Sequence, residues 1–488
     1  MRLRQKTLSG VKWTSISAVV TTIIQLAQVS ILTRFLLPSD FGLMAIVMVV
    51  IGFSQAFLDM GISNAIIYKQ EITGQQLSTL YWMNVITGVL LFLIIAAISP
   101  FIASFYSEPR ISHLLILVGL TFLIQPFGQQ FLVLLQKELR FKEAGIIDIS
   151  SKTASLIVST WFAVLHYGVL ALVYGTLAAV AVQSLMLVSQ GLREHKPHLV
   201  FHVSEVREFI GFGMYQMGER IVNYFNSQID VLLVGKLLGS SPLGVYSVAK
   251  QLVLKPSLIV NPVVTKVAFP ALSKVQQDTS MLKAVYLKTV NYLSSTNFPI
   301  YALIVVLSPQ IVHILFGQRW AAAIPILEIL SIFGAIRSTM NPVGSLLLAK
   351  GRAKLAFYWN LGLLLFVPGA IALTCQFGLV AVSWGMVAVM TSLIVPSWFF
   401  LVKSTSGAGL WEYLKQIVTP LFISVIIASV SYFSCGLTQN LTGKFITAGV
   451  AALATMALLN YVFNREYVVA LLEMVGLQRS RSVGGILS

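Results

Sequence analysis

The chain has 488 residues, 57% of them hydrophobic and only 10% charged, with a mean hydropathy of +0.85. A soluble domain carries roughly 25% charged residues, so this chain lacks the polar surface to face water, and a soluble multidomain enzyme is excluded. Its net charge of +16 would point to nucleic acid in a soluble protein, but in a membrane protein it reads as basic cytoplasmic loops, with no nucleic-acid partner. The two cysteines, Cys375 and Cys435, lie in apolar runs without metal-ligand spacing, which excludes a disulfide framework.

In chain order, Arg2, Arg4, Lys6 and Lys12 precede an apolar run that continues to about Leu37 without a small-x-small cleavage site, so it reads as a retained first span. About 20 residues cross the hydrocarbon core, and on that ruler the chain divides into about fourteen spans. They fall near 9–36, 40–66, 76–104, 110–136, 143–166, 168–192, 208–237, 242–272, 284–309, 321–349, 354–377, 379–402, 413–436 and 442–463. Breaks coincide with turn chemistry such as Leu37-Pro38-Ser39-Asp40 and Gly239-Ser240-Ser241-Pro242. One set of alternate loops and ends holds 23 Lys and Arg; the other holds five, Arg34, Arg110, Lys236, Arg319 and Lys444. That asymmetry predicts an even number of spans and cytoplasmic termini.

An internal repeat organises the spans. Leu36 to Leu43 resembles Leu237 to Val245 at an offset of 201 to 202, and Gln136 to Lys142 resembles Ala349 to Lys354 at an offset near 213. Both matches sit at equivalent turns. The expected architecture is therefore all-α: an N-lobe at 1–203 (spans 1–6), a C-lobe at 204–404 (spans 7–12), a helix pair at 405–464 (spans 13–14) and a tail at 465–488. Parallel repeats are a common transporter design, with substrate handled where they meet.

Span 1 carries Thr14, Ser17, Thr21, Gln25 and Gln28, spaced to share one helical face. Span 7 carries Gln216, Glu219, Arg220, Asn223, Asn226, Ser227 and Asp230, again on one face. These stripes either line a polar cavity or join helices through small polar contacts. Charge favours a cavity for span 7, because an ionised group against lipid costs at least about 2.5 kcal/mol. Arg220 and Lys255 lie deep in spans 7 and 8, with Lys250 nearer the entrance, and are candidates to hold a phosphate-bearing substrate. Gln25, Gln28, Asn223 and Asn226 complete the candidate lining. Glu219, Asp230 and Asp59 are candidate carriers of a coupling ion. Asp148 and Lys152, an i,i+4 pair, read as structural, and Trp13, Trp82, Trp320 and Trp411 read as interfacial anchors. No catalytic motif, cofactor site or metal site is expected; His195, His198 and His202 lie in a charged loop interrupted by Pro197.

Several stretches carry a family resemblance: Leu3 to Trp13, Thr79 to Asn84, Gly128 to Phe131 continuing to Leu139, Asn261-Pro262 to Pro270, Phe316 to Trp320, and Arg337 to Ser345. On these the chain resembles bacterial polysaccharide flippases of the MOP superfamily and is especially similar to the colanic-acid exporter group. The resemblance implies a V-shaped pair of six-helix lobes in the bacterial inner membrane. It also implies transport of undecaprenyl-pyrophosphate-linked oligosaccharide by alternating access, with the bilayer and other polysaccharide-assembly membrane proteins as partners. A peptidoglycan-precursor flippase is the sibling alternative, but it calls for basic residues in the first-span stripe, and none stands between Lys12 and Arg34. A membrane-embedded polymerase or ligase, from a different class, calls for a sizeable periplasmic loop with Arg and His, and the predicted periplasmic loops are a few residues long.

Overall fold

A computed structural model describes residues 2–59, 66, 72–201, 203–465 and 467–469, with side chains described at 10, 12–58, 66, 72–201, 218, 221–465 and 467–469. The described residues form helices joined by short turns and loops, with no strand among them. The helices are α1 (Arg2–Phe35), α2 (Pro38–Asp59), α3 (Gly74–Tyr106), α4 (Arg110–Gly119), α5 (Thr121–Lys137), α6 (Phe141–Val164), α7 (Leu170–Glu194) and α8 (Val203–Leu238). They continue with α9 (Ser240–Lys274), α10 (Thr279–Leu315), α11 (Ala323–Met340), α12 (Pro342–Ala349), α13 (Ala353–Cys375), α14 (Leu379–Ser392), α15 (Leu410–Cys435) and α16 (Leu441–Phe463).

Over the described residues, the apolar stretches read from the sequence fall on single helices or on helices end to end. Twelve, counting α4 with α5 and α11 with α12 as single spans, are long and apolar enough to cross a membrane among the described residues. The other two, α6 and α8, have 24 and 36 residues and carry charges within their length.

Local chemistry sets the ends. Thr73 and Gln76 close a capping box at the start of α3, where Gln76 N–H donates to Thr73 Oγ1 and Thr73 N–H donates to Gln76 Oε1, both at 3.2 Å. Gly239, at φ +87°, lets the chain turn between α8 and α9 with a single residue in a region L side chains avoid. Past α14 the helix runs through a π-helical turn at Trp398–Lys403, where Lys403 lies over the Trp398 ring at 5.4 Å.

The chain forms two compact units: residues 1–247 with 314–319 and 360–375, and residues 248–313 with 320–359 and 376–488. In the first, α6 packs against α1 and α7, α5 against α7, and α8 against α2 and α3. Glycines permit the approach, as where a Cβ on Gly128 would meet Ser184 Cα at 2.9 Å. In the second unit α11 packs on α14 and α15 on α16. A core there includes Tyr286, Leu346, Val402 and Tyr413. Trp320, expected at a membrane interface, is instead completely buried, whereas Trp411 is 82% exposed. Span ends alone did not distinguish a core indole from an anchoring one.

Candidate functional site

The span-1 stripe has a defined neighbour. Ser17 Oγ donates to Gly145 O at 3.4 Å, and Gln28 Nε2 donates to Ser155 Oγ at 3.1 Å and Ser159 Oγ at 3.0 Å. The stretch of α1 from Ser17 to Gln28 and the stretch of α6 from Gly145 to Ser159 therefore run side by side through matching polar faces. Gly145, Asp148, Lys152, Ser155 and Ser159 recur at spacings of three and four, as the α1 residues do. Gln25 is half-buried on the same α1 face. The α6 counterpart of the α1 stripe is signalled in the sequence by the 3-4-3-4 spacing from Gly145 to Ser159.

On α8, Asn226 Nδ2 donates to Asn360 O at 2.7 Å, while Asn223 is exposed. Asp230 is 1% exposed and accepts from the Tyr246 hydroxyl at 2.6 Å. Tyr224, on the same helix, donates its hydroxyl to Val49 O of α2 at 3.0 Å. The side chains of Arg220, Glu219 and Asp59 lie outside the described residues. In the second unit, Lys250 is buried and Lys255 half-buried on α9. Asn261 and Asn297 are buried and bonded amide to amide at 3.0 Å. Within the first unit the structure thus holds Gln25, Gln28, Asn223, Asn226 and Asp230.

The two turns matched in the sequence, at Pro38 and Ser240, meet at one crossing. A Cβ on Gly42 of α2 would lie 1.8 Å from Ser240 O, and a Cβ on Gly244 of α9 would lie 1.7 Å from Pro38 O. An offset of 202 residues carries one contact into the other, Gly42 onto Gly244 and Pro38 onto Ser240, so the starts of the two helices cross backbone to backbone with local two-fold symmetry. Asp40 caps the first of these helices, its Oδ2 accepting from Leu37 N–H at 2.9 Å, and Ser240 Oγ lies 3.5 Å from Glu108 Oε1 at the second. Negative groups there complement the positive ends of the helix dipoles. Close by, Tyr106 donates to Leu232 O at 3.3 Å and Lys236 Nζ donates to Phe105 O. Gly235 sits against Ile46 and Leu243.

At the opposite helix ends, Arg140 binds Glu143, Glu194 (2.6 Å) and Glu138 (3.2 Å). These bonds, from Glu143 first, raise its already high pKa further. His195 is pushed below its usual pKa, by burial first and then by His198. His198 also fastens this end, its backbone N–H donating to Ser78 Oγ at 3.1 Å and its carbonyl accepting from Trp82 Nε1 at 2.9 Å. In the second unit Lys283 pairs with Glu412 at 2.9 Å. Every one of these loop-to-loop contacts joins segments that the basic-residue count assigns to the same side of the membrane. Among the described residues, no group of three or more His, Cys, Asp or Glu side chains is placed to hold a metal ion.

Polysaccharide biosynthesis proteins match this chain over residues 31–325, more than half its length. The chain belongs to that family. It is 36% identical to the teichuronic acid biosynthesis protein TuaB of Bacillus subtilis (strain 168) over 443 residues, which cover 88% of this chain and 89% of TuaB. It is 32% identical to the lipopolysaccharide biosynthesis protein WzxC of Escherichia coli (strain K12) over 435 residues, 88% of each. Among solved structures, the lipid II flippase MurJ in an inward closed conformation matches with a TM-score of 0.73 at 13% identity, covering 94% of this chain and 100% of MurJ. At that identity the match concerns the fold: this polysaccharide biosynthesis family member is a multi-pass membrane protein with a MurJ-like helical architecture.

Proposed function

We propose that the chain is a flippase that moves undecaprenyl-pyrophosphate-linked oligosaccharides from the cytoplasmic to the periplasmic leaflet of a bacterial inner membrane, supplying surface polysaccharide assembly. One conjunction carries the reading: a chain of the polysaccharide biosynthesis family has the fold of a lipid-linked saccharide flippase. The physical task suits such a fold. The sugar and pyrophosphate need a polar path through a medium that penalises charge, while the lipid tail stays in the bilayer. The facing stripes of α1 and α6 and the polar face of α8 supply polar groups within the first unit. Arg220, Lys250 and Lys255 are the candidate cations for the pyrophosphate, and Glu219, Asp230 and Asp59 the candidate ion carriers. No covalent chemistry is required of any of them.

In this reading the chain has fourteen spans, two six-span repeats at 1–203 and 204–404, a helix pair at 405–464 and cytoplasmic termini. The same-side pairing of loop contacts supports that alternation of spans, and the basic-residue asymmetry supports the cytoplasmic termini. The α2–α9 crossing is then a periplasmic closure, and transport by alternating access requires it to part. The first test is complementation. A strain lacking its own flippase for a matching polysaccharide should regain surface polysaccharide when this chain is expressed, and Arg220→Ala should abolish that with normal membrane insertion. Membrane-inserted protein that restores none, across several repeat-unit chemistries, contradicts the reading.

A further inference from the structure

We infer that Lys152, held one helical turn from Asp148 on α6, binds the diphosphate group of the transported lipid, and that Asp148 is its counter-charge in the empty state. The inference rests on the flippase reading and extends it to a residue pair outside the candidate set above.

Four observations converge. The first is depth: Lys152 stands eleven residues into a helix of 24, about 16 Å along it at about 1.5 Å per residue, which is near mid-membrane for that span. The second is direction. Gly145, Asp148, Lys152, Ser155 and Ser159 form one face, and its two ends touch Ser17 and Gln28 of α1. The opposite arc carries Ile146, Ile157, Trp161 and Val164, exposed by 41%, 62%, 67% and 51%, as a lipid-facing surface should be. Both charges therefore point toward protein and away from the hydrocarbon. The third is access: Gly145, Ser155 and Ser159 are buried on that face, while Asp148 and Lys152, between Gly145 and Ser155, are only partly buried. The polar interface is closed at its ends and opens where the charges are. The fourth is pairing. Among the described residues, no ion pair or side-chain hydrogen bond engages the Asp148 carboxylate or the Lys152 ammonium.

A mid-span ammonium that faces protein and is not neutralised by a bonded partner is an expensive feature unless a ligand uses it. An ammonium is a point charge with three donors, suited to a phosphate oxygen in a partly dehydrated setting. Asp148 lies at i−4, close enough to attract the ammonium through space when the site is empty and to compete with an arriving anion. Gln28, Ser155 and Ser159 add uncharged hydrogen-bonding groups one to two turns away, of the kind that accommodate hydroxyls of a sugar. The same ammonium chemistry would serve the phosphate of a bilayer lipid, so the experiment separates the two sources.

The test is binding of undecaprenyl pyrophosphate to the full chain in nanodiscs of zwitterionic lipid, with a parallel titration of cardiolipin. Lys152→Ala should weaken undecaprenyl pyrophosphate binding about tenfold or more, and Lys152→Arg should stay near the parent. Asp148→Asn should tighten it by about threefold, because a competing anion is gone. That opposite sign is the signature a structural ion pair would not give, since both substitutions would then act alike. Lys152→Cys should regain binding after modification with a cationic thiol reagent and not with an anionic one, which keeps the test independent of how the alanine variant folds. Parent-like binding by Lys152→Ala, weakening by Asp148→Asn, or a Lys152 dependence seen for cardiolipin alone overturns the inference while the flippase reading stands. A parent protein that binds no undecaprenyl pyrophosphate overturns both.

Discussion

Two interfaces in the same unit solve opposite problems. Where α2 crosses α9, the backbones approach so closely that a methyl group on Gly42 or Gly244 would overlap a carbonyl oxygen. Where α1 meets α6, the contact is made by hydroxyls and amides, and two charged side chains stand half-exposed within it. Lipid tails are as apolar as leucine, so helices in a membrane associate through close packing and interhelical hydrogen bonds. The first interface uses close packing and leaves no volume for a ligand. The second uses hydrogen bonds and leaves two charged side chains partly exposed beside them. A tight seal and a polar surface are what a flippase has to combine.

The comparison can be broken most severely at the glycines. Gly42→Leu or Gly244→Leu should force the crossing apart, at a cost of about 3 kcal/mol of packing. A cysteine at the buried Leu243 should then react with a membrane-impermeant thiol reagent from the periplasm, and surface polysaccharide should fall sharply. Gly344→Ala, where a Cβ meets nothing within 4 Å, should leave both readouts unchanged. Unaltered labelling of the Leu243→Cys reporter in the two leucine variants argues against a closure at this crossing.

Behind the crossing, Tyr246→Phe leaves the buried Asp230 carboxylate without its 2.6 Å donor. Stability in detergent should drop by about 2 kcal/mol, as for other hydrogen bonds to charged groups, readable as a lower unfolding midpoint. Gln28→Leu should cost less, about 1 kcal/mol, because interhelical hydrogen bonds in membranes are individually modest. An effect of Gln28→Leu larger than that of Tyr246→Phe would reverse the ranking of the two regions.

The smallest effect lies outside both. Asp278 accepts from the Met281 and Ser280 N–H groups and the Ser280 hydroxyl at the start of α10, which holds its carboxyl below the usual carboxylate range. A depressed folded-state value means this stabilisation is present above the ordinary aspartate pKa and is lost as pH falls through the lowered one. Asp278→Asn should therefore remove a slight acid-dependent component of the melting temperature and change little at neutral pH. A melting temperature that depends on pH identically in the variant and the parent would contradict this.

Hydropathy made the helices legible because the bilayer imposes a length, and each apolar stretch has its helix. The repeat was legible at the Pro38 and Ser240 turns, but its meaning was not. That Gly42 and Gly244 meet is a long-range fact, and either glycine alone reads as an unremarkable helix residue. Asp148 and Lys152 are visible in the sequence as an i,i+4 pair that reads as structural, and a one-helix pattern does not reveal which helix it faces. Gln28 was legible as one of a polar stripe, but not its bonds to Ser155 and Ser159, since a transmembrane amide satisfies its donors on whatever lies opposite. Trp320 failed in the other direction, for a span end is an interface only if no other helix covers it.

The most direct measurement follows lipid-linked repeat units across the membrane in cells that lack any other flippase for them. Spheroplasts are treated with an impermeant glycosidase or sugar-oxidising reagent that reaches only the periplasmic leaflet. With this chain expressed, the undecaprenyl-pyrophosphate-linked oligosaccharide should become susceptible, and the Gly244→Leu variant should leave most of it protected. Complete protection in the presence of the intact, membrane-inserted chain would contradict the account.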